Sequence, residues 1–321
     1  MDKVFSGKIV GHLPLSLSRA LAVVVCVFSF VGLGAWLLLP LDLFNHFRLQ
    51  YSACLVLCIL ILLFDRKLKL ATTCTLILAL NLSQIIPMYF ARVQAQELTG
   101  KTIAVLDMNL WLCNDDQQAV LNCIKVSKPD VVTVQELTPR WLAVLQSGLN
   151  EYPYRKFVSR EDGFGIGTFS KLPLSDATSC VEVAGRCHVL LTTVEIGSRP
   201  LTIVNTHTLP PMYLGAAELD MKIVDEIARL RQQGGQNVIV IGDLNSSPWS
   251  FIFQHLLQTA DLKDTETGYG PQPSWPTSMA PMQIPIDHCL VSSSINTICR
   301  RILPSVSSDH YPLYVELSIP N

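Results

Sequence analysis

The sequence predicts a mixed α and β domain carried behind about three apolar helices, and three observations predict it. Residues before 99 are strongly apolar and basic, with eight Lys/Arg against four Asp/Glu, while the rest carries sixteen against 22. Beyond residue 99, β-branched runs alternate with amphipathic stretches of helical spacing. Most of those runs end on an acid, an amide or an imidazole. Net charges of +4 and −6 mark a boundary between a membrane region, 1–98, and a second domain, 99–321.

Residues 21–39 carry no charge and are long enough to cross a hydrocarbon core of about 30 Å. Residues 49–64 are uncharged but short, so Arg48 and Arg66 are expected to snorkel at their ends. Residues 70–90 are long enough, although Asn81, Ser83, Gln84 and Pro87 weaken them. A cleaved signal peptide is disfavoured, because two apolar segments follow the first and no small-residue cleavage site is evident. Lys3, Lys8 and Arg19 precede the first span, and Arg66, Lys67 and Lys69 lie between the second and third. The loop between the first two has only Arg48, so the positive-inside rule puts the N-terminus and second loop in the cytoplasm. Three crossings leave everything after Phe90 outside; two would reverse that.

Cys26, Cys54, Cys58 and Cys74 lie in the apolar segments and read as small hydrophobes. The other six form local pairs, Cys113 with Cys123, Cys180 with Cys187 and Cys289 with Cys299, as expected of disulfides in an oxidising compartment. None has a paired C-x-x-C zinc spacing.

In chain order, residues 102–106 are a β-type run ending in Asp107-Met108-Asn109, and 115–126 have helical spacing. Residues 131–134 are a buried strand running into Gln135-Glu136, and Thr138-Pro139-Arg140 opens a helix. The glycines of 163–167 lack the Lys-Ser/Thr of a phosphate loop and read as a close-packed turn. Residues 181–183 and 188–196 resemble a hairpin, 201–204 a strand ending in Asn205-Thr206-His207, and 218–230 an amphipathic helix. Residues 238–241 are a buried strand stopped by Gly242-Asp243-Leu244-Asn245 and then by Ser246-Ser247-Pro248-Trp249. Residues 251–259 look helical and 265–285 form a long loop. Two short strands close the chain, 289–291 after Asp287-His288 and 313–317 after Ser308-Asp309-His310.

Six strand boundaries therefore carry polar groups: Asn109, Glu136, His207, Asp243 with Asn245, Asp287, and Asp309-His310. Each alone has a bland explanation. Asn109 could cap a helix, His207 could be a core imidazole, and Asp243-x-Asn245 could be an Asx turn. Together they imply sheet ends converging on one edge. In strand alternation His288 faces away from that edge; Asn114 suits a substrate contact or a turn equally.

These motifs, in this order, resemble the endonuclease/exonuclease/phosphatase superfamily, which includes DNase I, neutral sphingomyelinases and inositol polyphosphate 5-phosphatases. The resemblance spans about residues 101–319. It implies an α+β fold, the four-layer α/β/β/α sandwich. Leu209-Pro210-Pro211 and Ser247-Pro248-Trp249 narrow it to bacterial YafD-like members with hydrophobic N-terminal segments, hence a multi-pass inner-membrane protein with a periplasmic catalytic domain.

The implied activity is metal-dependent phosphoester hydrolysis. Mg2+, with Mn2+ as the alternative, would be held by Glu136 and Asp309, with Asn109 ligating or orienting. Asp243 and Asn245 would position the attacking water, while His310, paired with Asp287, and His207 would face the phosphate. Asp309 is also a phosphate-side acid. A domain at −6 argues against tight nucleic-acid binding, although Arg155-Lys156 with Arg160, or Arg300-Arg301, could form local patches. Tethering to a bilayer favours a lipid headgroup or small phosphoester over DNA or RNA. A membrane-anchored binding module on the same fold would show gaps in the polar set, and there are none. No protein partner is inferable.

Overall fold

A computed structural model describes residues 15–90, 100–175, 179–183, 185–197, 200–233 and 235–320. Lys3 and Lys8, the polar connector through residue 99 and the side chain of Cys187 lie outside the described residues.

Helices α1 (Leu15–Val31), α2 (Arg48–Phe64) and α3 (Leu68–Ile85) pack through a narrow stripe that includes Ala22, Leu55, Cys58, Leu62, Ala71 and Cys74. Small side chains on that seam let backbones approach, as in helix pairs in lipid. The outward faces expose Leu57, Leu60 and Leu76, so the helices are apolar on all sides. Two helices, Leu17–Trp36 and Leu68–Tyr89, are long and apolar enough to cross a membrane. A third candidate is bent by 56° between Leu39–Asn45 and Arg48–Phe64.

At that bend Arg48 does not snorkel. It is 2% exposed and donates to Asn81 Oδ1 and Asn45 Oδ1. Asn81 donates on to Ser29 Oγ at 3.0 Å, and Asn45 to Gly32 O at 2.9 Å and Asp42 Oδ1 at 2.7 Å. A guanidinium removed from solvent needs such partners. Asn81, which weakens the third segment as an apolar run, therefore helps bind the three helices together.

The following strands are β1 (Lys101–Asn109), β2 (Val131–Gln135), β3 (Tyr154–Val158), β4 (Ile166–Ser170), β5 (Ser179–Val183), β6 (Arg186–Val194), β7 (Leu201–His207), β8 (Val238–Asp243), β9 (Leu262–Asp264), β10 (Asp287–Ser292), β11 (Asn296–Ile302) and β12 (Leu313–Ile319). They form two six-stranded sheets, β11-β12-β1-β2-β4-β3 and β5-β6-β7-β8-β10-β9. Each sheet has one parallel pair at its centre, β1 with β2 and β7 with β8, amid antiparallel neighbours.

The inner faces meet around Val105, Val131, Ile203, Ile239, Ile241 and Val315. Helices α4 (Gln117–Ser127) and α5 (Pro139–Gly148) cover the first sheet, with Ile124 and Trp141 against Leu106 and Val132. Helices α6 (Ala216–Gln233) and α7 (Phe251–Thr259) cover the second, with Ile227 and Phe253 near Val204 and Val240. The result is the expected α/β/β/α sandwich. Along β1, Val105 faces inward and Leu106 outward, the period-two alternation that lets one strand serve two cores.

Four strands escaped the sequence reading. β3 is a half-exposed edge strand carrying Arg155 and Lys156, β9 has only three residues, and β11 has a register shift between Thr297 and Cys299. The fourth, β4, takes Ile166 and Gly167 out of the expected close-packed turn and pairs them between β2 and β3. Two cysteine pairings also need correction. Cys113, Cys123, Cys289 and Cys299 are free thiols, and Cys289 is fully buried in the inter-sheet core. Cys180 is disulfide-bonded.

Candidate active site

Register brings the polar strand ends level with one another. In the first sheet Asn109 pairs with Gln135, leaving Glu136 one residue past the strand. In the second, His207 pairs with Asp243 and Asp243 with Asp287. Asn109 Nδ2 bridges the two sheets by donating to Asp243 Oδ2 at 3.1 Å. The same Asp243 oxygen lies 3.6 Å from Nε2 of both His207 and His310. His310 Nδ1 is 2.9 and 3.2 Å from the two oxygens of Asp287.

Local backbone strain accompanies this convergence. Glu136 and Asn245 adopt φ of 55° and 44°, left-handed values that non-glycine residues rarely take. Gly242, at φ 139°, has no room for a side chain, because a Cβ there would lie 2.0 Å from Thr206 O. The strand can therefore approach β7 closely only with glycine at this position. Asn245 N donates to Asp243 Oδ1 at 2.9 Å, and Asn245 Nδ2 to Thr208 O at 3.0 Å, so the turn fixes both side chains.

Burial sets the protonation pattern. It works to lower His310, but Asp287 and Asp243 raise that imidazole to about 10. It works to raise Asp287, which His310 nevertheless holds below the usual carboxylate range. Burial lifts Asp243 to about 8 against the pull of His310. It also depresses His207 to about 3, helped by the charge of His310, so His207 is neutral at pH 7. Glu136 is raised by burial despite the hydrogen bond from Leu112 N at 2.8 Å.

Glu136, His207, Asp243, Asn245, Asp309 and His310 floor a pocket of ≈ 250 Å³ that no Lys or Arg lines among the described residues. An anionic phosphoester would meet Glu136, Asp243 and Asp309 with little compensating charge. A hard dication fits that deficit. Asp309 Oδ2 accepts from Trp275 Nε1 at 3.1 Å, while its buried Oδ1 has no partner among the described residues. Asp309 also raises Glu136, so two carboxylates face one charge-poor space with oxygen donors only. Asn109 Oδ1 accepts from Trp111 N at 3.0 Å and keeps a second lone pair toward the ion space, while its side chain orients Asp243 and hydrogen-bonds Glu136. Asp243, Asp287 and His310 also converge within 4.8 Å. There, however, Asp287 and His310 already satisfy each other.

Several supporting residues had no assigned role in the sequence reading. Gln135 Nε2 donates to Asp107 Oδ1 and Asn205 Oδ1, both at 2.8 Å, tying the sheets together beneath the site. Asp107 is two residues before Asn109 in the same strand, and that spacing was the available signal. Ser308 Oγ donates to Asn109 O at 2.8 Å and accepts from His310 N at 3.1 Å. Phe164 stacks on His207 at 5.4 Å. His288 Nε2 turns away to Ser246 O at 2.8 Å. Asn114 is buried in its own turn, donating to Val306 O and accepting from Asp116 N.

Across residues 108–310 the sequence matches the Endonuclease/Exonuclease/phosphatase family. The chain belongs to that family. Membership places it among phosphoester-hydrolysing enzymes. Within the family's reach it is similar to the inositol phosphosphingolipids phospholipase C of Saccharomyces cerevisiae, with 28% identity over 160 residues. That match covers 42% of this chain and 34% of the yeast protein, about a third of its length. Solved relatives include D. rerio TDP2 complexed with a single-strand DNA product, at TM-score 0.56 and 15% identity over 68% of this chain and 99% of that one. A Bacteroides vulgatus endonuclease/exonuclease/phosphatase superposes at TM-score 0.56 and 19% identity, again over 68% and 99%. The human nocturnin catalytic domain with bound sulfate does so at 0.54 and 18%, over 68% and 94%. At such identities the structural likeness is one of fold.

Proposed function

We propose that the chain is a membrane-anchored, Mg2+-dependent phosphodiesterase of the YafD-like bacterial type, with Mn2+ as the alternative ion. The observation that carries this is Asp243 Oδ2, 3.6 Å from two imidazoles, one of them fixed by Asp287. Glu136 and Asp309 would hold the ion, with Asn109 keeping Asp243 in place. Bound there, Mg2+ would add to the positive charge that His310 alone supplies among the pocket's lining side chains.

Asp243 and Asn245 hold the attacking water, and Asp243 in its ionised form, the minor one below its raised value of about 8, takes its proton as the water oxygen bonds to phosphorus. Charged His310 neutralises the phosphate as the bond to the leaving oxygen breaks. Neutral His207 contacts the phosphate beside it. Water attacks directly, so no covalent enzyme intermediate forms.

Three crossings are supported by the packing of the helices. Asp42, before α2, accepts from Ser250 Oγ at 2.6 Å, and Met88 O, after α3, accepts from Gly268 N at 2.7 Å. Both ends therefore meet the sandwich. The 17 residues of α2 carry the chain about 25 Å away before Arg66, Lys67 and Lys69. Basic residues on the far side read as cytoplasmic, which makes the sandwich periplasmic at the inner membrane.

A lipid headgroup or small phosphoester is favoured over nucleic acid, because the arginines of the candidate basic patches are already engaged, Arg301 over the Tyr314 ring among them. Arg155 donates to the carbonyls of Tyr152, Gln146 and Leu149. Arg160 pairs with Asp162, and Arg300 is buried against Gln272 and Asp287 O. The test is hydrolysis of bis-p-nitrophenyl phosphate by the full chain in detergent. EDTA should abolish it and added Mg2+ restore it. Activity unaffected by chelation would overturn the metal assignment, and none with any divalent ion would overturn the enzyme reading.

A further inference from the structure

We propose that the segment between α1 and α2 is part of the substrate site. Leu43 and Phe47 form an apolar wall that seats the hydrocarbon of a lipid phosphoester whose phosphate lies over Asp243 and His310. This rests on the phosphodiesterase reading and names its substrate class.

The segment is clasped to the loop that follows Asn245. Asp42 caps the N-terminus of α7, with Oδ1 accepting from Phe251 N at 2.7 Å and Oδ2 from Ser250 Oγ at 2.6 Å and Ile252 N at 3.2 Å. A carboxylate at a helix N-terminus satisfies orphan amides and suits the helix dipole. His46 Nδ1 accepts from Ser247 N, and its carbonyl from Trp249 Nε1, both at 3.2 Å. Asp42 and His46 are buried, at 3% and 2% exposure. Catalysis has no use for Ser247-Pro248-Trp249, and these contacts explain its presence: it is the receptor for the membrane region.

Docking in this way brings Leu43 and Phe47 to the same pocket as His207, Asp243 and His310. Pro210, Trp275 and Ile284 complete an apolar enclosure around the polar floor. At its rim Met212, Tyr213 and Leu214 are three consecutive exposed apolar residues. Such a run is costly in water and suited to a bilayer interface. A soluble phosphoester gains nothing from these surfaces, and nucleic acid would need a track of Lys and Arg, none of which lines the pocket among the described residues. A lipid satisfies both halves, with its phosphate on the floor and its chain along a wall continuous with the apolar helices.

The experiment uses alkyl p-nitrophenyl phosphates, from methyl to octyl, with the full chain in detergent and Mg2+. All share one leaving group, so the chain-length dependence of kcat/KM follows the alkyl group and not the departing one. Burial of each methylene is worth roughly fourfold, and even partial seating predicts an octyl-to-methyl ratio of about tenfold or more. In Leu43→Ser/Phe47→Ser that ratio should fall to within about twofold of unity, while Leu43→Met/Phe47→Leu keeps it. Partition into detergent would raise the ratio equally in every variant, so a ratio preserved in the serine variant overturns the inference. So does a wild-type ratio near one, or faster cleavage of single-stranded DNA than of the octyl ester. Hydrolysis of no ester at all overturns the phosphodiesterase reading beneath it.

Discussion

Replacing Asp287 with Asn removes one charge at nearly constant volume and isolates what holds His310. Asp287 places both oxygens within 3.2 Å of His310 Nδ1, and both side chains are almost fully buried. A charge-assisted hydrogen bond of this kind contributes about 1.5–3 kcal/mol, or roughly tenfold to 150-fold in rate when it acts in the transition state. Loss of the imidazole's proton adds to this, because burial works against the charged ring and Asp287 is the largest influence raising it. In a serine-protease triad the equivalent Asp→Asn change costs about 10^4. The expected loss in kcat/KM for bis-p-nitrophenyl phosphate is therefore roughly 10^2 to 10^4, with Mg2+ affinity held. A double-mutant cycle sharpens the test: if Asp287 acts only through His310, Asp287→Asn adds almost nothing to His310→Ala. A single-variant loss under threefold, or full additivity in the double variant, would refute the reasoning.

Three further outcomes are expected. Glu136→Gln should weaken Mg2+ binding by about tenfold or more in calorimetric titration, while leaving the thermal midpoint of the metal-free protein within about a degree; unchanged affinity removes Glu136 from the ion site. Asp42→Ala strips three hydrogen bonds from the start of α7 and should destabilise the detergent-solubilised chain by about 1–3 kcal/mol, and an unshifted unfolding curve would dispose of the clasp. Asp220 is raised by burial from 3.8 to about 8, so the unfolded chain releases this proton first and stability falls as pH rises between those values. Asp220→Asn keeps an acceptor for Leu209 N, and its stabilising effect should be near nil at pH 4 and full above pH 8. A pH-independent difference would mean that Asp220 does not titrate in this way.

Much of the site was legible because polar groups at the ends of apolar strands violate the pattern around them. Asp243 and Asn245 interrupt four buried residues of β8, and Glu136 follows five of β2. What lay beyond reading was pairing at long range. Nothing local in Asp42 or His46 says that they meet Ser250 and Ser247 some 200 residues later. Arginine was misread for a related reason. Composition counts Arg48, Arg155 and Arg300 as available charge, yet each spends its donors on the protein's own acceptors. Cysteines near in sequence were expected to join, but alternation sends Cys289 into the inter-sheet core, where a thiol serves as a small hydrophobe. The inter-sheet network of Asp107, Gln135 and Asn205 was hidden because its members sit on three strands and meet only once the sheets are stacked.

The central claim is that Asp243 handles the attacking water at the point where both sheets and both imidazoles meet. Its most direct test is the Mg2+-supported rate of phosphodiester hydrolysis by Asp243→Ala against wild type, in the full chain at matched folding. Loss of general-base help and of water positioning together predicts a fall of about 10^3-fold or more. Rates equal within a factor of three would contradict the account.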